Sequence, residues 1–193
     1  MEEDIRTVPD PILRKKSERI HVITDDVRSV IEKMRAASLD WESKHPHEMS
    51  AAMAAPQLGE LYRIIIVRDS TEDKTDQGFT ALINPEVVKV EGSIEKDYEG
   101  CLSVPSVYGL VPRNTKVRIK AIDENGNEVR LKATDSLARV LLHEIDHLNG
   151  VLFIDYIKDE KDAFFELDDD GELQPLDYEK HIKNNRNLWP DEE

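Results

Sequence analysis

The chain has 193 residues, 39% of them apolar and 35% charged, which predicts one domain of ordinary size and excludes disorder of the whole chain. A net charge of −15 excludes a broad basic surface for duplex nucleic acid. Cys101 is the only cysteine, the acidic start does not resemble a signal peptide, and apolar runs such as Ile64–Val67 are too short to span a membrane. We therefore expect a soluble, cytoplasmic protein with no membrane partner.

The first predicted element is a helix that follows Thr24. The hydroxyl group of Thr24 can cap free backbone N–H groups, and apolar residues then recur at helical spacing. We expect this helix to end near Asp40 and residues 42–49 to form a loop, because that stretch is polar and contains a proline. Two β-branched runs at residues 62–68 and 80–84 predict buried strands, separated by a charged loop at residues 69–78.

Further strands are predicted from alternating side-chain character at residues 87–95 and 116–121. Asn125 and Gly126 follow the second of these, and this dipeptide favours the positive φ angles of a tight hairpin turn. Residues 117–122 and 128–132 are therefore expected to pair antiparallel.

A second helix is predicted to begin at Thr134, Asp135 and Ser136 and to close at Gly150 with a left-handed cap. Its broad apolar face consists of Leu137, Val140, Leu141, Ile145 and Leu148. So apolar a helix belongs in the centre of the protein, with antiparallel strands packed around it. The predicted fold class is α+β.

The last part of the chain differs in composition from the rest. Residues 158–193 contain 5 basic and 13 acidic side chains. We expect a catalytic domain at residues 1–157 and an acidic C-terminal extension at 158–193, with an Asp-Gly turn at Asp170–Gly171 and a short helix after Asp177.

The central helix carries the sequence His143-Glu144-Ile145-Asp146-His147, an HExxH arrangement. Residues four apart on a helix share a face, so both imidazoles can reach a single metal ion with Glu144 beside them to transfer protons. A site of this kind needs a third ligand. The downstream candidates Asp155, Asp159, Glu160 and His181 do not have the spacing used by HExxH peptidases, whereas Cys101 lies upstream in an apolar context.

Three motifs in this order resemble the peptide deformylase family over about residues 5–155. They are Met53–Gln57 (MAAPQ), Glu99–Ser103 (EGCLS) and His143–His147 (HEIDH). Supporting matches are Pro9–Arg14, Leu82–Pro85 and Leu148–Phe153. The resemblance implies a deformylase-like fold and a hydrolase that removes the formyl group from N-formylmethionyl peptides, releasing formate.

The resemblance also implies the roles of individual residues. Cys101, His143 and His147 would hold one divalent ion, naturally Fe²⁺, with Ni²⁺ or Zn²⁺ common in isolated material. Glu144 would carry the proton from water to the departing amine. The side-chain amide of Gln57 and the backbone N–H of Leu102 would stabilise the oxyanion.

The implied substrate-binding residues are Ser50, Ala51, Ala52, Glu99 and Gly100, and Arg113 would support the site by an ion pair with Glu99. The sequence departs from the family pattern at Ser50 and Ala52, where the motif has two glycines. Added side-chain atoms at these positions predict a narrower cleft. A further departure is Tyr108, which replaces a basic residue found in many members.

Two alternatives to a deformylase stay open at this stage. A different HExxH metallopeptidase would need a ligand downstream of His147 and would not need Cys101. A catalytically impaired relative would bind peptides through the same fold. The implied partners are nascent chains and, transiently, the ribosome, although the net negative charge gives weak long-range attraction to RNA.

Overall fold

The computed structural model describes residues 5–45, 48–70, 76–168 and 170–190. Parts of the predicted loops at residues 42–49 and 69–78 lie outside these ranges. The helices are α1 (Asp25–Lys44), α2 (Asp135–His147) and α3 (Tyr178–His181). The strands are β1 (Ala52–Ala54), β2 (Ile64–Arg68), β3 (Phe79–Cys101), β4 (Val104–Ile122), β5 (Glu128–Thr134), β6 (Phe164–Leu167) and β7 (Leu173–Pro175). Single turns of 3-10 helix occupy Pro11–Arg14, Ala55–Leu58 and Phe153–Ile157.

Helix α1 begins where the sequence predicts, because the hydroxyl of Thr24 accepts a hydrogen bond from the N–H of Val27. Its buried face includes Val27, Val30, Ile31 and Met34. The predicted end near Asp40 was wrong, since the helix continues to Lys44. Two contacts accompany the extra turn: the rings of Trp41 and His45, four residues apart, stack with centroids 4.1 Å apart, and Glu42 pairs with the buried Arg68 of β2.

All the strands belong to one antiparallel sheet with the order β1-β2-β3-β4-β6-β7, and β5 pairs with β4. The strands predicted at residues 80–84 and 87–95 are parts of the single 23-residue strand β3. The register shifts after Ile83, where Asn84 has a φ of 51°. The side chain of Asn84 stabilises this bulge by bonding both the N–H and the C=O of Ile20.

The predicted pairing of β4 with β5 is confirmed, with Val117 opposite Ala133 and Ile122 opposite Glu128. The turn between them differs from the predicted one, because Gly126 has a positive φ of 86° whereas Asn125 does not. The carboxylate of Asp123 instead accepts hydrogen bonds from the N–H groups of Asn125 and Asn127. This side chain organises a longer loop that the dipeptide pattern alone does not indicate.

Helix α2 lies against β4, β5, β1 and β2, and it forms the centre of an apolar cluster with Leu141, Ile145 and Leu148. Leu137, predicted on the buried face, lies in the first turn of α2 and is 45% exposed, so the prediction for this residue was wrong. Gly150 has a φ of 75°, and a Cβ there would lie 2.4 Å from the backbone oxygen of Arg14. The close approach of that segment therefore requires glycine. The α+β class is confirmed.

The C-terminal segment adds to the sheet. Strand β6 pairs with β4 through Tyr108–Phe165 and Gly109–Phe164, and β7 pairs with β6. Helix α3 follows Asp177, whose side chain accepts a hydrogen bond from the N–H of Lys180. The buried side chains Phe164, Ile182 and Leu188 join the apolar cluster that contains Phe153. None of the helices in the described ranges is long and apolar enough to cross a membrane.

Candidate metal centre

Two elements bring three nitrogen- or sulfur-bearing side chains together. His143 and His147 lie one helical turn apart on α2, with ring centroids 5.0 Å apart, and both are buried. Cys101 ends β3 at the tight turn into β4. Its Sγ lies 3.2 Å from Nε2 of His147, and the three ligand atoms all lie within 4.8 Å of one another. One ion can therefore contact all three.

The orientation of His143 is fixed by Glu99. Nδ1 of His143 lies 2.8 Å from a carboxylate oxygen of Glu99. Burial alone raises the pKa of Glu99, but hydrogen bonds from His143 and Arg113 outweigh it and lower the pKa to about 2. An ionised carboxylate only accepts, so Nδ1 carries a hydrogen and Nε2 is the ring nitrogen left to bind a metal. Burial lowers the pKa of His143, but hydrogen bonds with Cys101 and Glu99 outweigh it and raise the pKa, so a metal bound there would displace a proton from Nε2.

Two arginines hold Glu99 in turn. Arg113 donates to both carboxylate oxygens at 2.9 and 3.1 Å, and Arg139 donates to one of them at 2.8 Å. Arg113 also pairs with Asp146 of α2. The side chain of Glu99, predicted to bind substrate, is thus engaged by His143 and both arginines.

The donor set fits a metal ion. Nε2 of His147 faces Sγ of Cys101, and Oε2 of the neighbouring Glu144 is buried without a hydrogen-bond partner in the described part of the chain. Burial lowers the pKa of His147, which keeps its imidazole neutral and able to donate a lone pair. One thiolate and two imidazoles are a ligand set that suits zinc, iron or nickel. Among the described residues, this is the one group of three metal-binding side chains found close together.

Glu144 lies beside the two histidines without being one of the three converging ligands. Its carboxyl group is buried, and burial raises its pKa to about 7. A carboxyl group with this pKa can both take up and release a proton near neutral pH.

Gln57 and Leu102 lie beside Cys101, at the same end of the cleft. The amide oxygen of Gln57 accepts from the N–H of Ala54 at 2.8 Å, which orients the amide nitrogen towards Ser103 Oγ at 3.1 Å and Cys101 Sγ at 3.7 Å. Leu102 follows Cys101 in the β3–β4 turn and lines the cleft. The structure thus brings both residues next to Cys101.

A cleft of about 580 Å³ opens over these residues. We call Cys101, His143 and Glu144 the floor of the cleft, and Glu48–Ala51 together with Tyr108 its outer wall. Ser50, Ala51, Ala52 and Gly100, which the sequence analysis predicts to contact substrate, also line it. The methyl group of Ala52, however, belongs to the apolar cluster with Val67 and Leu141. The side chain of Ala52 can therefore account for only part of the predicted narrowing of the cleft.

Several contacts in and beside the cleft were not predicted from the sequence. Glu42 accepts hydrogen bonds from the N–H of Ser50 at 2.8 Å and from Arg68 at 2.5 Å. Tyr108 donates to Glu48. The spacing of Arg139 four residues before His143 is a signal that could have placed Arg139 on the same helix face. The other contacts join distant segments and have no local sequence signal.

The antiparallel sheet packs against α2, and Cys101 at the end of β3 meets His143 and His147 of that helix. This is the architecture of a metal-binding α+β hydrolase. The sequence model described as polypeptide deformylase matches residues 2–163. The peptide deformylase of Thermomicrobium roseum is 42% identical over 171 residues, covering 87% of this chain and 93% of the relative. The chain belongs to the polypeptide deformylase family, whose members depend on a metal ion.

Solved structures agree with this assignment. A peptide deformylase from Synechococcus elongatus in complex with actinonin has a TM-score of 0.68 at 36% identity, covering 79% of this chain and 77% of the other. The peptide deformylase of Thermotoga maritima has a TM-score of 0.71 at 30% identity, with coverages of 81% and 97%. The predicted deformylase-like fold is confirmed.

Proposed function

We propose that this chain hydrolyses the formyl group of N-formylmethionyl peptides, with a divalent ion held by Cys101, His143 and His147. The observation that carries the proposal is the convergence of these three ligand atoms within 4.8 Å, beside a buried glutamate, in a chain of this family. The upstream Cys101 provides the third ligand atom, so the site needs no ligand downstream of His147. This supports a deformylase over another HExxH peptidase.

The ion bound here would supply Lewis acidity, which makes water more acidic and polarises the formyl carbonyl group. We take Fe²⁺ as the natural ion. The protein holds the ligands ready for it: Glu99 fixes the ring of His143, and the backbone nitrogen of Ser103 donates to Sγ of Cys101 at 3.4 Å.

Glu144 is assigned the proton transfer. As the oxygen of water bonds to the formyl carbon, Oε2 of Glu144 takes the proton that the water loses. Glu144 then delivers this proton to the amine nitrogen as the C–N bond breaks. The products are formic acid, which ionises to formate by losing the second proton of the water, and a peptide with a free N-terminus, and Glu144 returns to its ionised form.

The oxygen of the formyl group gains negative charge during this step and needs hydrogen-bond donors. The amide nitrogen of Gln57 carries two hydrogens: one is donated to Ser103 Oγ at 3.1 Å, and the other, on a long contact of 3.7 Å with Cys101 Sγ, is the one proposed to donate to the formyl oxygen. The N–H of Leu102, in the adjacent turn, is the second proposed donor. Removing one donor of this kind typically reduces the rate by about 10²- to 10³-fold.

The substrates in this proposal are nascent chains that still begin with N-formylmethionine, met at the ribosome in a reducing cytoplasm. The residues proposed to line the path of the peptide are Ser50–Ala52 and Gly100, with the ion pair of Glu99 and Arg113 supporting the site. A reducing compartment keeps the thiolate of Cys101 available as a ligand.

The direct test is release of formate from formyl-Met-Ala-Ser by iron-loaded protein without oxygen, because Fe²⁺ and a thiolate are both oxidisable. We expect formate and free Met-Ala-Ser in equal amounts. Cleavage of an internal peptide bond would favour the peptidase alternative. Binding of the peptide with no release of formate would favour the impaired relative.

A further inference from the structure

The outer wall of the cleft is closed by one contact between side chains 60 residues apart. Tyr108 on β4 donates its hydroxyl hydrogen to a carboxylate oxygen of Glu48, which follows α1. Both residues line the cleft whose floor holds Cys101 and His143. The contact therefore joins two segments of the outer wall that belong to different parts of the fold.

The ring of Tyr108 is held against the strand that carries Cys101. Tyr108 pairs with Gly100 across β3 and β4, and a Cβ built on Gly100 would lie 2.6 Å from Cε1 of the tyrosine ring. Gly100 thus leaves room for the ring at this position. On its other side Tyr108 pairs with Phe165 of β6, so its backbone is fixed between two strands.

We propose that Tyr108 and Glu48 form a clasp that limits how far a bound peptide extends from the floor of the cleft while it is closed. No backbone can pass between two oxygens in hydrogen-bond contact, because a neighbouring extended strand needs about 4.7–4.9 Å. A short formyl peptide fits with the clasp closed. A longer chain must separate Tyr108 from Glu48 before it can lie along the cleft.

The electrostatics favour the closed state in the absence of a long peptide. Burial and the neighbouring Glu48 both raise the pKa of Tyr108, so its hydroxyl keeps the hydrogen that it donates. A hydrogen bond to a charged acceptor is stronger than one between neutral groups. Opening the clasp therefore costs binding energy that a long substrate must supply and a short one does not.

The inference rests on the proposed deformylation, and its test compares two peptide lengths. The probes are formyl-Met-Ala and formyl-Met-Ala-Ser-Ala-Ala, which carry no charged side chains that could interact with Glu48. In Tyr108→Phe, which keeps the ring but loses the hydroxyl, we expect KM for the longer peptide to fall about fivefold to tenfold. KM for the dipeptide and kcat for both should stay within about twofold of the parent.

Two further variants make the test specific. Glu48→Ala removes the clasp from the other side and should give the same dependence on length. Tyr98→Phe is the matched control, since Tyr98 also lines the cleft but packs its ring edge-on against Phe165. This control should leave both KM values within about twofold of the parent.

Binding of the products Met-Ala and Met-Ala-Ser-Ala-Ala, measured by calorimetry, tests the clasp without turnover. The same fivefold to tenfold tightening is expected for the longer product alone. Equal effects on both lengths, or none, in Tyr108→Phe would overturn the proposal. A parent that releases no formate from either peptide would instead disprove the proposed function, while the binding measurements would still decide the role of the clasp.

Discussion

The floor and the outer wall of the cleft are held in place by different kinds of interaction. At the floor, His143 and Glu99 are buried and each is fixed by charged hydrogen bonds that continue to Arg113. At the outer wall, Tyr108 and Glu48 are half-buried and are joined by a single hydrogen bond. The comparison indicates that His143 is held by more charged contacts than the Tyr108–Glu48 pair, which is the contact we propose to open.

The largest effect is expected when the proposed metal ligand Cys101, at the floor of the cleft, is removed. Cys101→Ala should lose the bound ion and all measurable deformylation, because two imidazoles alone leave the ligand set incomplete. Metal per chain is measured by elemental analysis after gel filtration. Ser103→Ala, two residues away, is the control that should keep its metal. Full occupancy in Cys101→Ala would refute the assignment of this ligand.

The next largest effect is expected at Glu144, where a substitution should stop proton transfer without removing the metal. Glu144→Gln should keep its metal but lose about 10²- to 10⁴-fold in kcat, because an amide cannot take up the proton released by water. Metal content and formate release are measured on the same preparation. Turnover at the parent rate by a metal-loaded Glu144→Gln protein would show that another group transfers the proton.

A third prediction concerns the support of the outer wall. Arg68, with a side chain only 1% exposed, pairs with Glu42, which also accepts the N–H of Ser50. Glu42→Ala should lower the free energy of unfolding by about 3 kcal/mol, because within the described ranges Glu42 is the carboxylate that pairs with this buried cation. Denaturant unfolding measures the change.

The control for this prediction lies on the same helix. Asp40 forms an exposed pair with Lys44, so Asp40→Asn should cost only about 0.5 kcal/mol. If the two variants lose equal stability, Glu42 does not compensate the charge of Arg68.

The smallest effects are expected at Ser50 and Ala52. Because the methyl group of Ala52 packs in the core, Ala52→Gly should cost about 1 kcal/mol of stability and change kcat/KM by less than twofold. Ser50→Gly tests the predicted narrowing separately and should raise kcat/KM for formyl-Met peptides about twofold to threefold. Steady-state kinetics at matched metal content distinguishes the two. A larger gain from Ala52→Gly would show that its methyl group does restrict the cleft.

The sequence predicted best those features that depend on residues close together in the chain. The HExxH pair on α2, the start of α1 at Thr24 and the β4–β5 pairing follow from periodicity and turn residues, and each is present in the structure. The extension of α1 beyond Asp40 and the union of two predicted strands in β3 depend on partners such as Arg68 and Ile20. Such partners are distant in sequence, so local pattern could not predict them.

The same distinction applies to the site. Family resemblance indicated Cys101, Gln57 and Arg113, and the structure places all three around the histidines. The bond between Glu48 and Tyr108 has no sequence signature, because it joins one residue of a polar loop to one residue of a strand.

The position of Cys101 at the β3–β4 turn also has a consequence for how the chain folds. Its partner His147 lies 46 residues further along, so the two meet only after the long hairpin has docked on α2. An unfolded chain cannot offer the same three ligands together, and the ion therefore binds the native state preferentially. At a free ion concentration 1,000 times the dissociation constant, this linkage would add about 4.1 kcal/mol to the free energy of unfolding. Metal supply would then govern how much folded protein a cell retains, as well as how fast that protein works.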